Sequence, residues 1–325
     1  MEASAYMSKA DLEKLNQSVE RVREEIGKVI VGQRQMIDFL LAALLADGHV
    51  LIEGVPGVAK TLAAKLLARV VDVQFSRIQF TPDLMPSDVL GTAVFNPQTA
   101  AFHFKQGPIF SNIVLIDEIN RSPAKTQAAL FEVMEEKQIT ADGTTFLMPK
   151  PFLVLATQNP VEHEGTYRLP EAQLDRFMFK IEVNYPSLGE EIQILWNSHE
   201  GKTTHYQEVA ERVLTTGQIQ EYREKVSRLH IEQKVLEYIA QIIMETRNNK
   251  SLFLGASPRA SVAVLKASKS IAAMDGRDFV TPDDVIRVTP PVLRHRLILT
   301  PEKEMEGVSA DQIIDSIIKK IEVPR

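Results

Sequence analysis

Residues 49–61, HVLIEGVPGVAKT, constrain the fold of this chain more than any other stretch. A short apolar run ends at Glu53, and a glycine-rich loop then leads to Lys60-Thr61 and the helical pattern LAAKLLARV. Glycines let backbone N–H groups face inward, and the new helix adds unpaired N–H groups and the positive end of its dipole. Lysine at this place contacts terminal phosphates, and threonine contacts Mg²⁺. The stretch predicts a strand, a phosphate-binding loop and a helix.

One residue of this loop departs from the general motif GxxxxGK[ST], because Ala59 stands where glycine is usual. An ordinary glycine turn before a helix is the alternative interpretation. We predict that the loop binds a nucleotide through Gly54, Val55, Pro56, Gly57, Val58, Ala59, Lys60, Thr61 and Leu62.

Composition narrows the class of protein. A chain of 325 residues suits two domains, and 44% hydrophobic with 25% charged residues is the balance of a soluble protein. The longest apolar run, residues 39–46, is too short to span a bilayer. The absence of cysteine excludes disulfides and thiolate metal sites, and with no signal-peptide pattern it predicts a cytoplasmic location. A net charge of −6 argues against a dedicated nucleic-acid binder.

Two carboxylates follow a fully apolar run at residues 113–116. Such a run predicts a central parallel strand that is buried on both faces. Its carboxyl end lies where α/β sheets bind ligands. We therefore predict that Asp117 holds Mg²⁺ and that Glu118 accepts a proton from an attacking water molecule.

Asn159 and Arg176 are the next candidate site residues. Asn159 follows a second apolar strand and could orient water against a terminal phosphate, although asparagine before proline is often only a turn residue. Arg176 precedes a last strand at residues 179–183. It is either a surface ion-pair partner or an arginine finger that enters a neighbouring subunit's site.

The remaining pattern predicts two β-hairpins and a series of helices. The hairpins lie at residues 92–104 and 139–146, the second with an Asp142-Gly143 turn, and Ser122 is the predicted N-cap of a helix to Lys137. After a polar boundary segment at 200–205 the chain is helical, with helices at 219–228, 232–247, 258–274 and 282–288.

Two short segments carry further candidates. Val31, Gly32 and Gln33 form a turn that either connects two helices or contacts a ligand. Ser257-Pro258 is a helix start, which places Arg259 in a first turn. A cation there is disfavoured by about 0.3–1 kcal/mol. Arg259 is therefore either a surface residue without a specific function or the contact for an external anion.

Taken together, these residues resemble the AAA+ ATPases and, within them, the MoxR family. The motifs GVPGVAKT, IVLIDEINRSPAKTQAALFEVMEE, ATQNP, RLPEAQLDRFMFKI, GASPRA and VLRHRL occur in the family's order and cover nearly the whole chain. The family also inserts two hairpins at corresponding places. Its loop commonly has alanine at the position of Ala59, so this residue is typical of the family.

The resemblance implies an α/β fold with two domains. Residues 1–200 would form an αβα P-loop core with a parallel sheet, an N-terminal helix and the two hairpins, and residues 201–325 a small all-helical lid. It implies that Lys60 contacts phosphate, Thr61 and Asp117 hold Mg²⁺, Glu118 activates water and Asn159 senses the γ-phosphate. By the same resemblance, Arg176 is a finger supplied in trans, Arg259 is a second sensor, and Val31, Gly32 and Gln33 contact adenine. Arg121 and Arg294 lie in family motifs without an assigned role.

The resemblance further implies an ATP hydrolase with ATP and Mg²⁺ as cofactors, assembled into a ring, expected to be a hexamer. Its expected work is chaperone-like remodelling or maturation of a protein client together with von Willebrand factor A domain proteins, and the hairpins would face the client. One alternative is a nucleic-acid motor, for which Lys105, Lys137, Phe102 and Phe104 offer too little phosphate-binding charge. Another is a switch that binds nucleotide and scarcely hydrolyses it.

Overall fold

A five-stranded parallel sheet lies at the centre of the computed structural model, which describes residues 9–98, 100–141, 143–159, 167, 169–200 and 210–324. The described strands are, in chain order, β1 (His49–Gly54), β2 (Phe75–Gln79), β3 (Gly91–Asn96), β4 (Ala101–Gln106), β5 (Ile113–Asp117), β6 (Gln138–Ala141), β7 (Thr144–Leu147), β8 (Leu153–Gln158), β9 (Phe177–Val183), β10 (Leu252–Leu254) and β11 (Ile298–Leu299). The sheet has the order β2-β5-β8-β1-β9 with every neighbouring pair parallel. The predicted parallel sheet is confirmed.

Alternating side chains of the central strands pack into two separate apolar cores. On β5, Ile113 and Leu115 belong to one core, whereas Val114 and Ile116 belong to the other. Successive side chains of a strand point to opposite faces, so the two cores lie on opposite sides of the sheet. A strand with apolar residues on both faces is the form expected when helices cover the sheet on each side.

Helices surround the sheet and form most of the chain that follows it. The described α-helices are, in chain order, α1 (Lys9–Gly27), α2 (Arg34–Ala46), α3 (Lys60–Val70), α4 (Pro86–Leu90), α5 (Ala124–Glu136), α6 (Glu171–Leu174), α7 (Leu188–His199), α8 (Thr216–Ser227), α9 (Gln233–Asn248), α10 (Pro258–Met274), α11 (Pro282–Leu293), α12 (Pro301–Met305) and α13 (Ala310–Lys320). Among these described helices, none has both the length and the apolarity that crossing a membrane requires.

Helix boundaries agree with the sequence prediction at some ends and differ at others. Ser257 and Thr281 are N-cap residues followed by proline, as predicted. The predicted N-cap at Ser122 is wrong, because Pro123 takes that position and α5 begins at Ala124. Ser122 is instead fully buried beneath the 3₁₀ turn that follows β5.

The end of α11 also differs from the prediction. The helix continues past residue 288, through Pro290 and Pro291, to Leu293. Each proline removes one backbone donor and would ordinarily interrupt a helix. Here the last turns bury Val288, Val292 and Leu293 completely, and tertiary packing of this kind outweighs the local preference.

The N-terminal helices pack against helices from the other end of the chain. Side chains of α1, α2 and α3 share one apolar core with those of α8 to α11 and α13. Asn16 Nδ2 donates to the carbonyl oxygen of Met274 at 2.7 Å, and Arg287 pairs with buried Asp38 at 2.7 Å. Of the predicted boundary segment, residues 201–205 lie outside the described residues, so the division of the chain at residue 200 stays a prediction.

Both predicted hairpins are present. β3 pairs antiparallel with β4, and β6 pairs antiparallel with β7. Asp142 of the second turn lies outside the described residues, whereas Gly143 has a φ of 76°, which favours glycine. The two hairpins touch through Phe104 and Phe146, whose rings stack with centroids 4.7 Å apart. They therefore form one connected unit beside the sheet.

Candidate functional site

A pocket of about 380 Å³ opens where β1, β5 and β8 end, at the carboxyl edge of the sheet. Its lining residues are Pro56, Gly57, Ala59, Lys60, Thr61, Leu62, Arg77, Gln79, Asp117, Glu118, Thr157, Gln158 and Asn159. Five residues that were predicted from separate motifs therefore meet in one place: Lys60, Thr61, Asp117, Glu118 and Asn159. The carboxyl edge of a parallel sheet is the expected position for a ligand in an α/β fold.

The glycine-rich loop turns sharply before α3 begins at Lys60. Gly57 has a φ of 89° and Ala59 a φ of 61°, so two residues of the loop are left-handed. The ammonium group of Lys60 reaches back across the loop and donates to the carbonyl oxygen of Gly54. The N-terminal N–H groups and the dipole of α3 point to the pocket, which is the arrangement that binds phosphate.

Asp117 is held firmly at the base of the pocket. It is buried, and its Oδ2 accepts from Arg77 Nε at 2.6 Å. Its Oδ1 accepts from the hydroxyl of Thr157 at 3.0 Å. A buried carboxylate needs such partners, because an unpaired buried charge is costly.

Glu118 lies beside it in a left-handed conformation with a φ of 58°. Its Oε2 accepts from Gln79 Nε2 at 2.6 Å and pairs with Arg121 at 3.2 Å. Its backbone N–H donates to the hydroxyl of Thr157 at 3.1 Å. A non-glycine residue with this backbone conformation is strained, and such strain is often found where a functional side chain must be aimed.

Four residues of the pocket were missed by the sequence analysis: Arg77, Gln79, Thr157 and Gln158. Arg77 and Gln79 alternate along β2 and therefore share one face of that strand. They reach the carboxylates only because β2 lies next to β5 in the sheet. Polar residues at alternate positions near the end of a strand were the available signal, but the strand order was needed to interpret it.

The donor set fits a magnesium ion that travels with a nucleotide. Mg²⁺ prefers oxygen ligands and commonly keeps several waters, with one or two protein groups and phosphate oxygens completing its shell. Thr61 and Asp117 line the same pocket and offer one hydroxyl and one carboxylate. The described residues contain no cluster of three or more His, Cys, Asp or Glu side chains that could hold a metal alone. The site would therefore bind the ion together with phosphate.

The predicted adenine segment lies beside the start of α7. Gly32 has a φ of 71° and Gln33 a φ of 55°. Gln33 Nε2 donates to the carbonyl oxygen of Asn184 at 3.2 Å. A Cβ atom on Gly32 would come within 2.1 Å of Glu190 Oε1, so the Glu190 side chain would have to move, and the left-handed φ itself favours glycine here. Within the described part of the chain, this segment adjoins α7 and does not line the phosphate pocket.

Arg176 and Arg259 lie together, but away from the pocket. Arg176 pairs with Glu135 Oε2 at 2.7 Å, and Arg259 pairs with Glu135 Oε1 at 2.6 Å. The hydrogen bond from Arg176, together with the charges of both arginines, lowers the pKa of the Glu135 carboxyl, which is therefore ionised near neutral pH.

Glu135 marks the opposite edge of the sheet. It lies in the last turn of α5, next to Met134, whose carbonyl oxygen contacts His49 at the start of β1. Arg176 immediately precedes β9, which runs parallel to β1. A six-residue strand at about 3.3 Å per residue separates the two edges by roughly 20 Å. Of the residues that the structure describes, neither arginine contacts the phosphate pocket of its own chain.

A buried contact joins the segments that carry the two arginines. Asp175, next to Arg176, accepts from Arg296 Nε at 2.7 Å and from the hydroxyl of Ser257 at 3.0 Å. Ser257 is the N-cap of α10, whose second residue is Arg259. Arg296 Nη2 also donates to the carbonyl oxygen of Phe177 at 2.6 Å. The positions of the two arginines are therefore set by shared contacts.

The two arginines that had no assigned role have partners in this chain. Arg121 pairs with Glu118, as described above. Arg294 pairs with Asp311 on α13 at 2.7 Å and donates to the carbonyl oxygen of Lys180 on β9 at 3.4 Å. Arg294 thus connects the C-terminal helices to the sheet, whereas Arg121 contacts the pocket residue Glu118.

Comparison with known families places two domains along the chain. The sequence profile of the ATPase family associated with various cellular activities (AAA) matches residues 49–179. The profile of the AAA lid domain matches residues 244–317. The first match contains the phosphate loop, the carboxylate pair Asp117-Glu118 and both hairpins. The second contains Arg259 and the whole of α11.

Similar proteins cover nearly the whole chain. Chaperone MoxR1 of Mycobacterium tuberculosis is 45% identical over 95% of this chain and 83% of its own length. The YeaC protein of Bacillus subtilis is 47% identical over 93% of each chain. The crystal structure of a candidate ATPase from Cytophaga hutchinsonii superposes with a TM-score of 0.89 at 42% identity, covering 98% of this chain and 99% of that one.

Proposed function

Because the chain belongs to the MoxR family of AAA+ ATPases, we propose that it hydrolyses ATP and uses the reaction to remodel protein clients. One observation carries the proposal. The phosphate loop, the carboxylate pair and Asn159 line a single pocket, although they are far apart in sequence. An ATP site needs these groups together, because phosphoryl transfer depends on positioning and charge stabilisation.

Each pocket residue has a role that follows from its place. Lys60 and the first turn of α3 bind the β- and γ-phosphates. Thr61 and Asp117 hold Mg²⁺, which when bound neutralises phosphate charge. Arg77 and Thr157 keep the Asp117 carboxylate oriented through the hydrogen bonds described above.

Glu118 is the proposed general base. Its carboxylate lines the pocket. In the proposed reaction it accepts a proton from a water molecule that attacks in line with the leaving group. Asn159 orients that water against the terminal phosphate. Gln79 and Arg121, which contact Glu118 in this structure, fix the direction of its carboxylate.

The pocket is proposed to be completed by a neighbouring subunit. Arg176 and Arg259 do not line the phosphate pocket of their own chain and contact Glu135 near the opposite edge of the sheet, which supports a role for them in a neighbouring pocket. AAA+ ATPases typically assemble as rings, and a hexamer is the proposed state here. In that arrangement both arginines face the next subunit's phosphates and stabilise the charge that develops in the transition state.

Replacing Glu118 tests the chemistry. Glu118→Gln keeps the size of the side chain but removes the base, so we expect ATP turnover to fall by at least about 100-fold. Binding of a fluorescent ATP analogue should stay within about threefold of wild type, because no phosphate contact is lost. Glu132→Gln, on the exposed side of α5, is the matched control and should turn over ATP normally. Wild-type turnover by Glu118→Gln would contradict the assignment.

Mixing two inactive variants tests the shared site. Arg176→Ala subunits keep an intact phosphate loop, and Lys60→Ala subunits keep an intact arginine pair. If the site is shared, a mixture forms some pockets with a wild-type loop and a wild-type arginine, and turnover returns partly. A mixture that stays inactive at every ratio would argue against a site between subunits.

The remodelling role rests on the named relative and on the hairpins. Chaperone MoxR1 is similar to this chain over 95% of this chain's length. Phe95 and Phe102 project from the first hairpin, half or more exposed, with ring centroids 5.3 Å apart. Such an exposed aromatic pair suits contact with an unfolded or partly folded client. A von Willebrand factor A domain protein is the proposed partner, and the cytoplasm, which suits a chain without cysteine, the proposed location.

A trapped complex identifies the client. Glu118→Gln protein with ATP should retain clients that the wild-type protein releases. Phe102→Ser in the same background should lower client recovery and leave ATP binding unchanged. Equal recovery by both proteins would remove the first hairpin from the client-binding role.

A further inference from the structure

Helix α7 carries its apolar residues on the side that faces solvent. None of its twelve residues is buried. Four of its five large apolar side chains, Leu188, Ile192, Leu195 and Trp196, are exposed by 79%, 48%, 63% and 56%, and the fifth, Ile194, by 37%. Residues with this spacing lie on one face of a helix.

The opposite face of α7, which carries Glu190, Ile194 and Asn197, is the less exposed one. Glu190 is half-buried against Gly32, and Asn197, half-buried as well, accepts from Gln193 at 2.9 Å. A surface helix ordinarily buries its apolar face and exposes its polar one. The reversed arrangement indicates that a partner covers the apolar face, since exposed patches of this kind mark interaction sites.

A concave surface elsewhere on the same chain has the matching character. It is a cleft of about 880 Å³ between α8 and α10 on one side and the end of β7 and the start of β8 on the other. Its apolar lining includes Leu147, Met148, Phe152, Val226, Val262 and Leu265. Leu147 and Val262 are exposed by 72% and 51%. The cleft is large enough to receive bulky side chains.

The charges of the two surfaces are complementary. Five basic side chains, Lys137, Lys150, Arg223, Lys266 and Lys269, line the cleft together with three carboxylates, Asp47, Glu136 and Glu224, so basic groups outnumber acidic ones. Helix α7 carries the exposed carboxylate of Glu191 in its first turn, and exposed Glu200 follows its end. Complementary charge of this kind guides association and fixes the orientation of partners. A negatively flanked apolar helix and a lysine-lined apolar cleft therefore suit each other.

The two surfaces lie where a shared site needs them. Helix α7 begins beside Gly32 and Gln33, the segment that the family resemblance assigns to adenine. The cleft extends along the face of α10 that also carries Arg259, since residues 259, 262 and 266 are neighbours on that helix. A contact between α7 of one subunit and the cleft of the next would bring an arginine pair toward the neighbour's nucleotide.

We propose that α7 of each subunit docks into the cleft between α8 and α10 of a second copy of this chain. The contact is heterologous, because the two surfaces differ, and it repeats around a ring. It deepens the proposed function and rests on it, since it assigns the subunit interface that completes the ATP site.

Disulfide cross-linking tests the contact directly. The chain contains no cysteine, so introduced pairs report only on themselves. Leu195→Cys protein and Val262→Cys protein, mixed and mildly oxidised, should form a covalent dimer of the two variants. Because each variant carries a single cysteine, a disulfide between positions 195 and 262 can form only between two different chains. Met305→Cys, at a residue that is 90% exposed on α12, replaces Leu195→Cys in the control mixture and should give little product.

A charged substitution tests the consequence for assembly. Leu195→Asp should abolish sedimentation as a ring and lower turnover per subunit more than tenfold, while binding of a fluorescent ATP analogue stays unchanged. Met305→Asp should behave as wild type in all three measurements. Equal cross-linking in both mixtures, or a ring that survives Leu195→Asp, would overturn the proposal. If the wild-type protein does not bind nucleotide, the proposed function is refuted. The cross-link does not require nucleotide, so this result would leave the proposed contact standing.

Discussion

Ala59 occupies a left-handed position of the phosphate loop, with a φ of 61° and a ψ of 17°. A Cβ atom in this conformation costs about 1–2 kcal/mol, which glycine avoids. Glycine also loses more chain entropy on folding, which offsets part of that gain. We expect Ala59→Gly to raise the free energy of unfolding by about 0.5–1 kcal/mol in urea titrations, with nucleotide binding kept.

Ala128 provides the matched control for this prediction. It is exposed in the interior of α5, where alanine has ordinary helical geometry. Ala128→Gly should lower the free energy of unfolding by about 1 kcal/mol, because glycine is a poor helix former. The two substitutions thus make the same chemical change, but the expected changes in the free energy of unfolding have opposite signs. Similar destabilisation by both would show that the loop holds no strain at Ala59.

His49 is a buried histidine whose contacts require the neutral ring. Its Nδ1 accepts from the N–H of Val154 at 3.0 Å, so Nε2 carries the proton and donates to Met134 O at 3.1 Å. Burial lowers the pKa of His49 from 6.5 to about 4. The unfolded chain therefore binds a proton more readily than the folded one, and stability is lost as the pH falls from 6.5 toward 4.

This pKa shift predicts a specific pH dependence. At about 1.4 kcal/mol per pH unit, His49 removes about 3 kcal/mol from the free energy of unfolding between pH 7 and pH 4. Glutamine in His49→Gln offers one donor and one acceptor but does not titrate. The variant should therefore lose about 3 kcal/mol less of its free energy of unfolding than wild type between pH 7 and pH 4. Urea titrations at the two pH values measure the difference. An identical loss in both proteins would mean that His49 is charged when folded.

At the scale of elements, the C-terminal helices connect to the sheet mainly where α11, with the residues just after it, contacts β9. Arg296 is 8% exposed and pairs with Asp175. It also donates to the carbonyl oxygens of Asp175 and Phe177 at 3.0 and 2.6 Å. Next to it, His295 Nε2 contacts the carbonyl oxygen of Phe177 at 3.0 Å. These bonds hold the segment that carries Arg176.

Removing this buried arginine should be strongly destabilising. Arg296→Met keeps the apolar stem but leaves Asp175 without its charged partner, at an expected loss of about 3–5 kcal/mol. Hydrogen exchange should increase in β9, and the unfolding midpoint in urea should fall. Lys320→Met removes an exposed pair with Glu245 and should change stability by less than about 1 kcal/mol. Comparable effects of the two substitutions would contradict a special role for Arg296.

The elements that could be predicted are those whose pattern is local. A wholly apolar run such as residues 113–116 indicates a strand buried on both faces, and Ser257-Pro258 indicates a helix start. The outward direction of the apolar face of α7 could not be predicted, because a hydrophobic pattern does not say which surface covers it. Gln79 was missed for a similar reason, since its contact with Glu118 depends on which strands are neighbours.

The same limit applies to the candidate site as a whole. Lys60, Asp117 and Asn159 could be placed in one pocket because the carboxyl ends of parallel strands meet at one edge. The pairing of Arg176 and Arg259 through Glu135 could not, since these residues come from three elements that meet only in the folded chain. The trans role of Arg176 stays a prediction for the experiments above.

At the scale of the whole molecule, a shared site makes turnover depend on concentration. We expect ATP turnover per subunit to fall steeply on dilution below the assembly concentration, because isolated subunits lack a neighbour's arginines. Nucleotide binding per subunit should change little over the same range. Turnover and sedimentation measured on one dilution series give both quantities. Constant turnover per subunit across dissociation would place all catalytic groups within one chain.

The separation of the phosphate pocket from the arginine pair, at opposite edges of one sheet, gives each subunit a direction. A row of subunits joined through the proposed shared site would have one terminal pocket that no arginine reaches, so an open row of n subunits would hold n − 1 complete sites. Closure adds the last site without adding a subunit. The stoichiometry of catalysis would then distinguish a closed assembly from an open one without any image of either.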